Sequence, residues 1–306
     1  MRMARFAVMV ALLGPLAPAR GGATETAASD EPLLIGMPSV SAGHPVHLAL
    51  YKGADEEARK LGARLVVADA MGDPVKQSND VKDLVAKGVR GIVISPMPGL
   101  TPAIEDAVKA GVTVVTVDNK ADTDKVLFHS GVDNAEIGRM AARYVIEKLG
   151  NKGSVIEIEG YPGWTAAVER KAGFDEVIKK SNVKLLASQT AYWDRSQGQQ
   201  VMSALMKQYP NFDAVFAAND DMIVGVIDAM SAVNIDPSTK VTIGADGSPL
   251  ALESIRAGKL GATIDQVPAK QAQQAIDYLV SYLKKKTMPP QRVMFVTPEL
   301  LTKAQL

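Results

Sequence analysis

From Leu33 to Val117 the sequence repeats one unit: a short apolar run, a few loop residues, a stretch with apolar positions spaced by three and four, then a glycine. Leu33-Leu-Ile-Gly-Met37, Arg64-Leu-Val-Val-Ala-Asp69, Gly91-Ile-Val-Ile-Ser95 and residues 112–117 have the length and β-branched content of strands. Residues 46–61, 74–87 and 101–110 carry the helical period and close on Lys60-Leu-Gly62, Ala86-Lys-Gly88 and Lys109-Ala-Gly111. A glycine just past the last turn stops a helix, because it enters the left-handed region without steric cost. Strands alternating with helices at this spacing predict a parallel sheet with right-handed crossovers.

After Val126-Leu-Phe128 the unit resumes. Helix 134–149, strand Ser154-Val-Ile-Glu-Ile158, helix 164–180, strand Lys184-Leu-Leu-Ala-Ser188, helix 195–208, strand 214–218 and helix 220–232 follow in order. Strand 241–245, helix 249–257, Ala262-Thr-Ile264 and a long helix 268–285 complete the set. A chain of 306 residues exceeds the size at which one core usually keeps growing. Two βα sheets of similar size are therefore expected in tandem, with no low-complexity linker between them.

Several predicted strands end on polar residues. Asp213-Ala-Val-Phe-Ala-Ala-Asn-Asp-Asp-Met222 stops its apolar run at Asn219, Val112-Thr-Val-Val-Thr-Val-Asp118-Asn119 at Asp118, and Val241-Thr-Ile-Gly-Ala-Asp246-Gly247 at Asp246. In open α/β sheets the carboxyl ends of the strands are where ligands bind. Taken singly, Asn219 reads as a helix N-cap and Asp246-Gly247 as a turn pair.

The N-terminus stands apart. Arg2 and Arg5 precede the apolar Phe6-Ala-Val-Met-Val-Ala-Leu-Leu13, and Ala17-Pro-Ala19 offers a small-residue cleavage site. This is the pattern of a secretory signal peptide over residues 1–19, too short to span a bilayer. Residues 20–31 read as a flexible lead-in. Lys+Arg and Asp+Glu both number 34, so losing two arginines takes the net charge from 0 to −2, which offers no footprint for nucleic acid. The chain has no cysteine, which excludes disulfides, thiol catalysis and zinc–thiolate sites. An exported, cysteine-free chain of this kind is expected in a bacterial periplasm.

Enzyme signatures are missing. There is no G-x-G-x-x-G after the first strand, no phosphate loop ending in G-K-[ST], and no G-x-S-x-G elbow. His44 and His47 stand three apart, but three histidines in all offer no third metal ligand, so neither a metal nor a cofactor is expected.

The segments Gly53-Ala-Asp-Glu-Glu-Ala-Arg-Lys-Leu-Gly62, Val215-Phe-Ala-Ala-Asn-Asp-Asp-Met222, Ile243-Gly-Ala-Asp-Gly-Ser-Pro249, Tyr192-Trp-Asp-Arg195 and Ala262-Thr-Ile-Asp-Gln266 together resemble the periplasmic sugar-binding proteins of ABC importers, ribose binders above all. The likeness runs from about residue 33 to the end. It implies an α/β fold of the type I periplasmic binding proteins: two Rossmann-like lobes with parallel sheets, joined by a three-strand hinge. One lobe would comprise residues 32–131 plus 266–294 and the other 132–265 plus 295–306. The crossings would fall near Gly131–Asp133, Asp265–Pro268 and Phe295–Thr297.

The resemblance also implies a site. Asp118 would accept from sugar hydroxyls on the first lobe, Arg170 would donate from the second, Asn219, Asp246 and Gln266 would complete a polar ring, and Trp193 would supply a stacking wall. Such groups suit a ligand whose hydroxyls both donate and accept while its C–H face is apolar. Alone, Arg170 reads as a surface charge and Trp193 as core; their joint occurrence favours a cleft. The sequence departs from ribose binders where an asparagine and two aromatics fall on His44, Val46 and His47, and where an arginine falls on Asn119. A hexose, inositol or sugar alcohol is then as plausible a ligand as ribose.

The implied protein is a monomeric, non-catalytic carrier that hands its solute to ABC permease membrane subunits, with a chemoreceptor as a compatible further partner. The alternative is an exported α/β enzyme acting on a small sugar-like substrate, with Asp118, Asp246 and His44 as acid and base. A transcriptional regulator of this fold would carry a DNA-binding helix-turn-helix where this sequence carries a signal pattern.

Overall fold

A computed structural model describes residues 31–306. The signal pattern of residues 1–19 and nearly all of the lead-in lie outside the described residues.

The first repeat forms β1 (Leu33–Ser39), α1 (Pro45–Lys60), β2 (Ala63–Asp69), α2 (Pro74–Ala86), β3 (Gly91–Ile94), α3 (Thr101–Lys109), β4 (Thr113–Val117) and β5 (His129–Gly131). The second forms α4 (Asn134–Leu149), β6 (Ser154–Glu159), α5 (Thr165–Ile178), β7 (Lys184–Thr190), α6 (Arg195–Gln208), β8 (Ala214–Ala217), α7 (Asp220–Ala232), β9 (Val241–Ala245), α8 (Pro249–Arg256) and β10 (Ala262–Asp265). Then come α9 (Pro268–Lys285), β11 (Val293–Phe295) and β12 (Glu299–Thr302). The helix-stop glycines Gly62, Gly88 and Gly111 all have positive φ, between 66° and 87°.

Two six-stranded sheets result, ordered β11-β5-β4-β3-β1-β2 and β12-β10-β9-β8-β6-β7. All pairings are parallel except β12 against β10. Strands β3 and β8 are buried along their whole length, as a sheet covered on both faces requires. On the first sheet, Leu50 of α1 and Ile276 of α9 pack with Val93 and Val115, while Leu84 and Ile104 of α2 and α3 pack with Ile92 and Val114. On the second, Phe174 stacks on Phe216 with ring centroids 4.6 Å apart.

The chain passes between sheets three times: after β5, between β10 and α9, and between β11 and β12. Strands β5, β11 and β12 carry no strand expectation from the sequence. His129-Ser-Gly131 is too short and polar to show a period, and its partners lie near residues 116 and 293. Pairing with distant chain makes these strands, not their own composition. In both sheets the strand order reverses at the first strand of the set, β1 and β6. Ligand crevices of open α/β sheets lie at the carboxyl ends beside such reversals.

Candidate functional site

One cavity of about 220 Å³ is lined by residues that follow the carboxyl ends of strands in both sheets. All nine residues expected there from the sequence are in its wall: His44, His47, Asp118, Asn119, Arg170, Trp193, Asn219, Asp246 and Gln266. Val40, Ser41, Val46, Trp164 and Ala166 complete it.

The first-sheet side is built from short links. Ser95, just past β3, donates its hydroxyl to Asp118 Oδ2 at 2.9 Å, and Asn119 Nδ2 donates to the same oxygen at 3.1 Å. Gln77, buried in α2, donates to the carbonyls of Pro38 and Ser95 at 3.0 and 2.9 Å and accepts from the Met97 amide at 2.9 Å. It thereby ties the end of β1 to that of β3 and seats Ser95 beneath Asp118. Burial pushes the Asp118 carboxyl above the usual range; the Ser95 bond and the charges of Arg170 and His44 oppose the rise. His47 is buried in the first turn of α1, and burial together with His44 lowers it to about 3, so its imidazole is neutral. The His44 and His47 rings lie 5.3 Å apart, and among the described residues no group of three metal-ligating side chains gathers.

The second-sheet side is organised on Arg170, which is only 2% exposed. Its Nε donates to Asn134 Oδ1 at 3.0 Å, Nη1 to the Ala218 carbonyl at 2.6 Å and to Asp246 at 3.4 Å, and Nη2 to Gln266 Oε1 at 3.3 Å. Gln266 Nε2 donates to Asp246 Oδ1 at 2.7 Å, closing the ring. One guanidinium thus links α4 to the ends of β8, β9 and β10. Small residues permit this: a Cβ on Gly138 would come within 1.9 Å of the Arg170 carbonyl, so only glycine lets α4 approach α5 so closely. Burial pushes Asp246 up to about 6 although Arg170 opposes it. Burial and Asp246 together hold Asp220 well above its usual range, where Thr263 and the Ser248 amide donate to it at 2.6 and 2.7 Å.

Asn219 is both of the things its sequence allowed. Its Oδ1 caps α7 by accepting from the Met222 amide at 2.9 Å, and its Nδ2 donates to the Trp193 carbonyl at 3.3 Å while the residue lines the cavity. Trp193 lies 5.8 Å from the Arg170 guanidinium, a cation–π arrangement. It packs so close to Gly160 that a Cβ there would fall 2.1 Å from the ring.

Three of the nine non-glycine residues with positive φ among the described residues line the cavity. Asp118 (φ 58°), Trp193 (65°) and Asp246 (131°) line the cavity, and Val267 (47°) follows Gln266. Bulky or branched residues avoid such conformations, which persist where tertiary structure over-determines them. Three buried polar atoms of lining residues also have no protein partner: His44 Nδ1, Asn119 Oδ1 and Trp193 Nε1. Each would cost about 1–3 kcal/mol if left unpaired.

Residues 35–287 match the model of the periplasmic binding protein domain family. The chain belongs to this family. It is 38% identical over 248 residues to the ribose import binding protein of Bacillus subtilis, covering 79% of this chain and 80% of that protein. The galactofuranose-binding protein of Escherichia coli is 32% identical over 269 residues, with 84% of each chain covered. Among solved structures, an ABC-transporter periplasmic solute-binding protein from Actinobacillus succinogenes with bound D-allose superposes with a TM-score of 0.83 at 30% identity, over 90% of this chain and 99% of that one. The two parallel-dominated sheets are those of the type I members of the family.

Trp164 is the lining residue with most chemistry that the sequence did not single out. It stands at the N-cap of α5 in the loop after β6, in Tyr161-Pro-Gly-Trp164. The signal for it was present: an aromatic in the loop that follows a buried strand. With Trp193 it puts both indoles of the cavity on the second-sheet side, with His44, Val46 and His47 on the other.

Proposed function

We propose that this chain is an exported, non-catalytic carrier that traps a monosaccharide or polyol between its lobes and presents it to the membrane subunits of an ABC permease. The observation that carries this reading is the pairing of two carboxylates from opposite sheets, Asp118 and Asp246, around the buried Arg170, within one small cavity flanked by Trp164 and Trp193. Hydroxyls find acceptors on both sides, and the indoles offer apolar faces for C–H groups. Ligating groups on both lobes let the ligand favour the shut form, because closure must be driven by contacts made only there. The lobes are taken as 32–131 plus 266–294 and 132–265 plus 295–306, with residues 1–19 removed on export to the periplasm and the mature chain acting as a monomer.

Calorimetric titration with D-ribose, D-allose, myo-inositol and glycerol tests the reading. Saturable heat with at least one is expected, and Asp118→Ala should abolish it without unfolding the protein. No heat from any of the panel would sink the proposal. Mass spectrometry of the ligand after incubation separates a carrier, which leaves it intact, from an enzyme.

A further inference from the structure

His44 and Asp221 sit on different sheets yet meet across the cleft. His44 is the N-cap of α1, against the first sheet, and Asp221 lies in the first turn of α7, against the second. His44 Nε2 is 3.6 Å from Asp221 Oδ2, with the two side chains 29% and 30% exposed. A neutral imidazole gains little at that distance, whereas a protonated one makes a charge-assisted contact. Its Nδ1 is buried without a protein partner, so protonation, which makes both ring nitrogens donors, carries the cost of an unpaired Nδ1–H that the Asp221 contact must offset.

The charged groups around the ring come from several elements. On α1 itself, His47 is neutral through burial. At the end of β2, Asp69 accepts from the Ala42 amide at 3.1 Å. Past β4 and β9, the carboxylates of Asp118 and Asp246 both feel the His44 charge. Arg170 of α5 is the opposing cation, but its donors are committed to Asn134, Ala218, Asp246 and Gln266. Three cleft carboxylates, Asp118, Asp221 and Asp246, thus surround one engaged guanidinium and one histidine. Histidine is the side chain whose charge ordinarily changes between about pH 5 and pH 8.

Building on the hinge-closing reading above, we propose that His44 and Asp221 form a proton-operated clasp between the lobes: a proton on the imidazole draws α1 and α7 together, biases the cleft toward its shut form and tightens the hold on solute in acidic surroundings. In an opened cleft Asp221 moves away from the ring, so the contact between the two side chains is made only in the shut form. Asp246 titrates nearby, at about 6, so the effect is read as a difference between variants and not from the parent protein alone.

The absence of cysteine allows a direct test. Lys82→Cys on α2 and Lys207→Cys on α6, both exposed, give two labelling sites for a fluorescent donor and acceptor, one on each lobe. In the ligand-free protein, moving from about pH 8 to about pH 5.5 should raise the ratio of short- to long-distance populations about two- to fivefold, the range of a partly exposed ion pair. Asp221→Asn and His44→Gln should each remove that rise. An equal rise in both variants, or none in the parent, overturns the clasp. D-ribose, D-allose, myo-inositol and glycerol, each added to the same labelled protein, separate the two claims: distances that answer one of these ligands but not the pH refute only the clasp, and distances that answer neither the pH nor any of the four refute hinge closure as well. Where D-ribose binds, a double-mutant cycle of the two substitutions should show coupling at about pH 5.5 that vanishes at about pH 8.

Discussion

The two walls of the cavity are built on different principles. The second-sheet wall is cross-linked: Arg170 alone contacts four other residues, Gln266 and Asp246 bond to each other, and Asn219 holds both its helix and the Trp193 loop. The first-sheet wall is tied from behind, by Gln77 to Pro38, Ser95 and Met97, while at the cavity Asp118 is held by Ser95 and Asn119 and His44 makes no cap bond to its own helix. A preorganised wall binds the common features of a ligand class. His44, Val46, His47 and Asn119 all stand on the first wall. The cross-links therefore place rigidity on the second wall.

The largest test of this asymmetry is Arg170→Met against Asp118→Ala. Breaking a buried charge pair from one side costs about 3–5 kcal/mol, so Arg170→Met should lose both binding and that much stability in urea titration. Asp118→Ala should lose binding with little change in the urea midpoint. Equal stability losses would break the comparison.

The walls also differ in their response to acid. His47 and His129, both on the first-sheet side, are held neutral by burial at about 3, against an ordinary value of 6.5. Below pH 6.5 the unfolded chain takes up protons these two refuse. The stability they provide above that pH is lost on acidification, at up to about 1.4 kcal/mol per pH unit for each. On the second-sheet side Glu157 and Asp246 are raised by burial to about 7 and about 6, so the folded state binds protons more readily and their cost fades as pH drops through those values. Raised Asp118 acts against that loss on the first side. Hydrogen exchange at about pH 5 and pH 7, corrected for intrinsic rates, should show α1 and β5 loosening while β6 and β9 hold or tighten. Uniform loosening would refute the asymmetry.

Two smaller effects sharpen it. Asn219→Ala removes a cap as well as a wall residue, so about 1 kcal/mol of stability should go with the affinity, measurable as a lower urea midpoint. Trp164→Ala should weaken ligand binding about tenfold in calorimetry, roughly the worth of one aromatic contact, and barely shift unfolding.

Much of this molecule is legible locally. Helices α4, α6, α7 and α9 begin and end where period, caps and glycines place them, and Asp118, Asn219 and Asp246 follow strands because an apolar run that stops at a polar residue marks the strand's carboxyl end. Arg170 and Gln266 came only through resemblance to a family; nothing in Glu169-Arg170-Lys171 distinguishes a buried guanidinium from a solvated one. Strands β5, β11 and β12 had no strand range from their own residues, only hinge crossings placed nearby by resemblance, and the Trp164 wall had no reading. The alternation of apolar runs and glycine-stopped helices determined two parallel sheets with polar strand tips, since backbone geometry and side-chain period act over neighbouring residues. Which tips face one another, which carboxylates are forced upward by burial, and which strands exist only because a distant partner offers its edge were decided by the tertiary structure. Desolvation and long-range pairing depend on what surrounds a residue in space, and the local sequence does not carry that information.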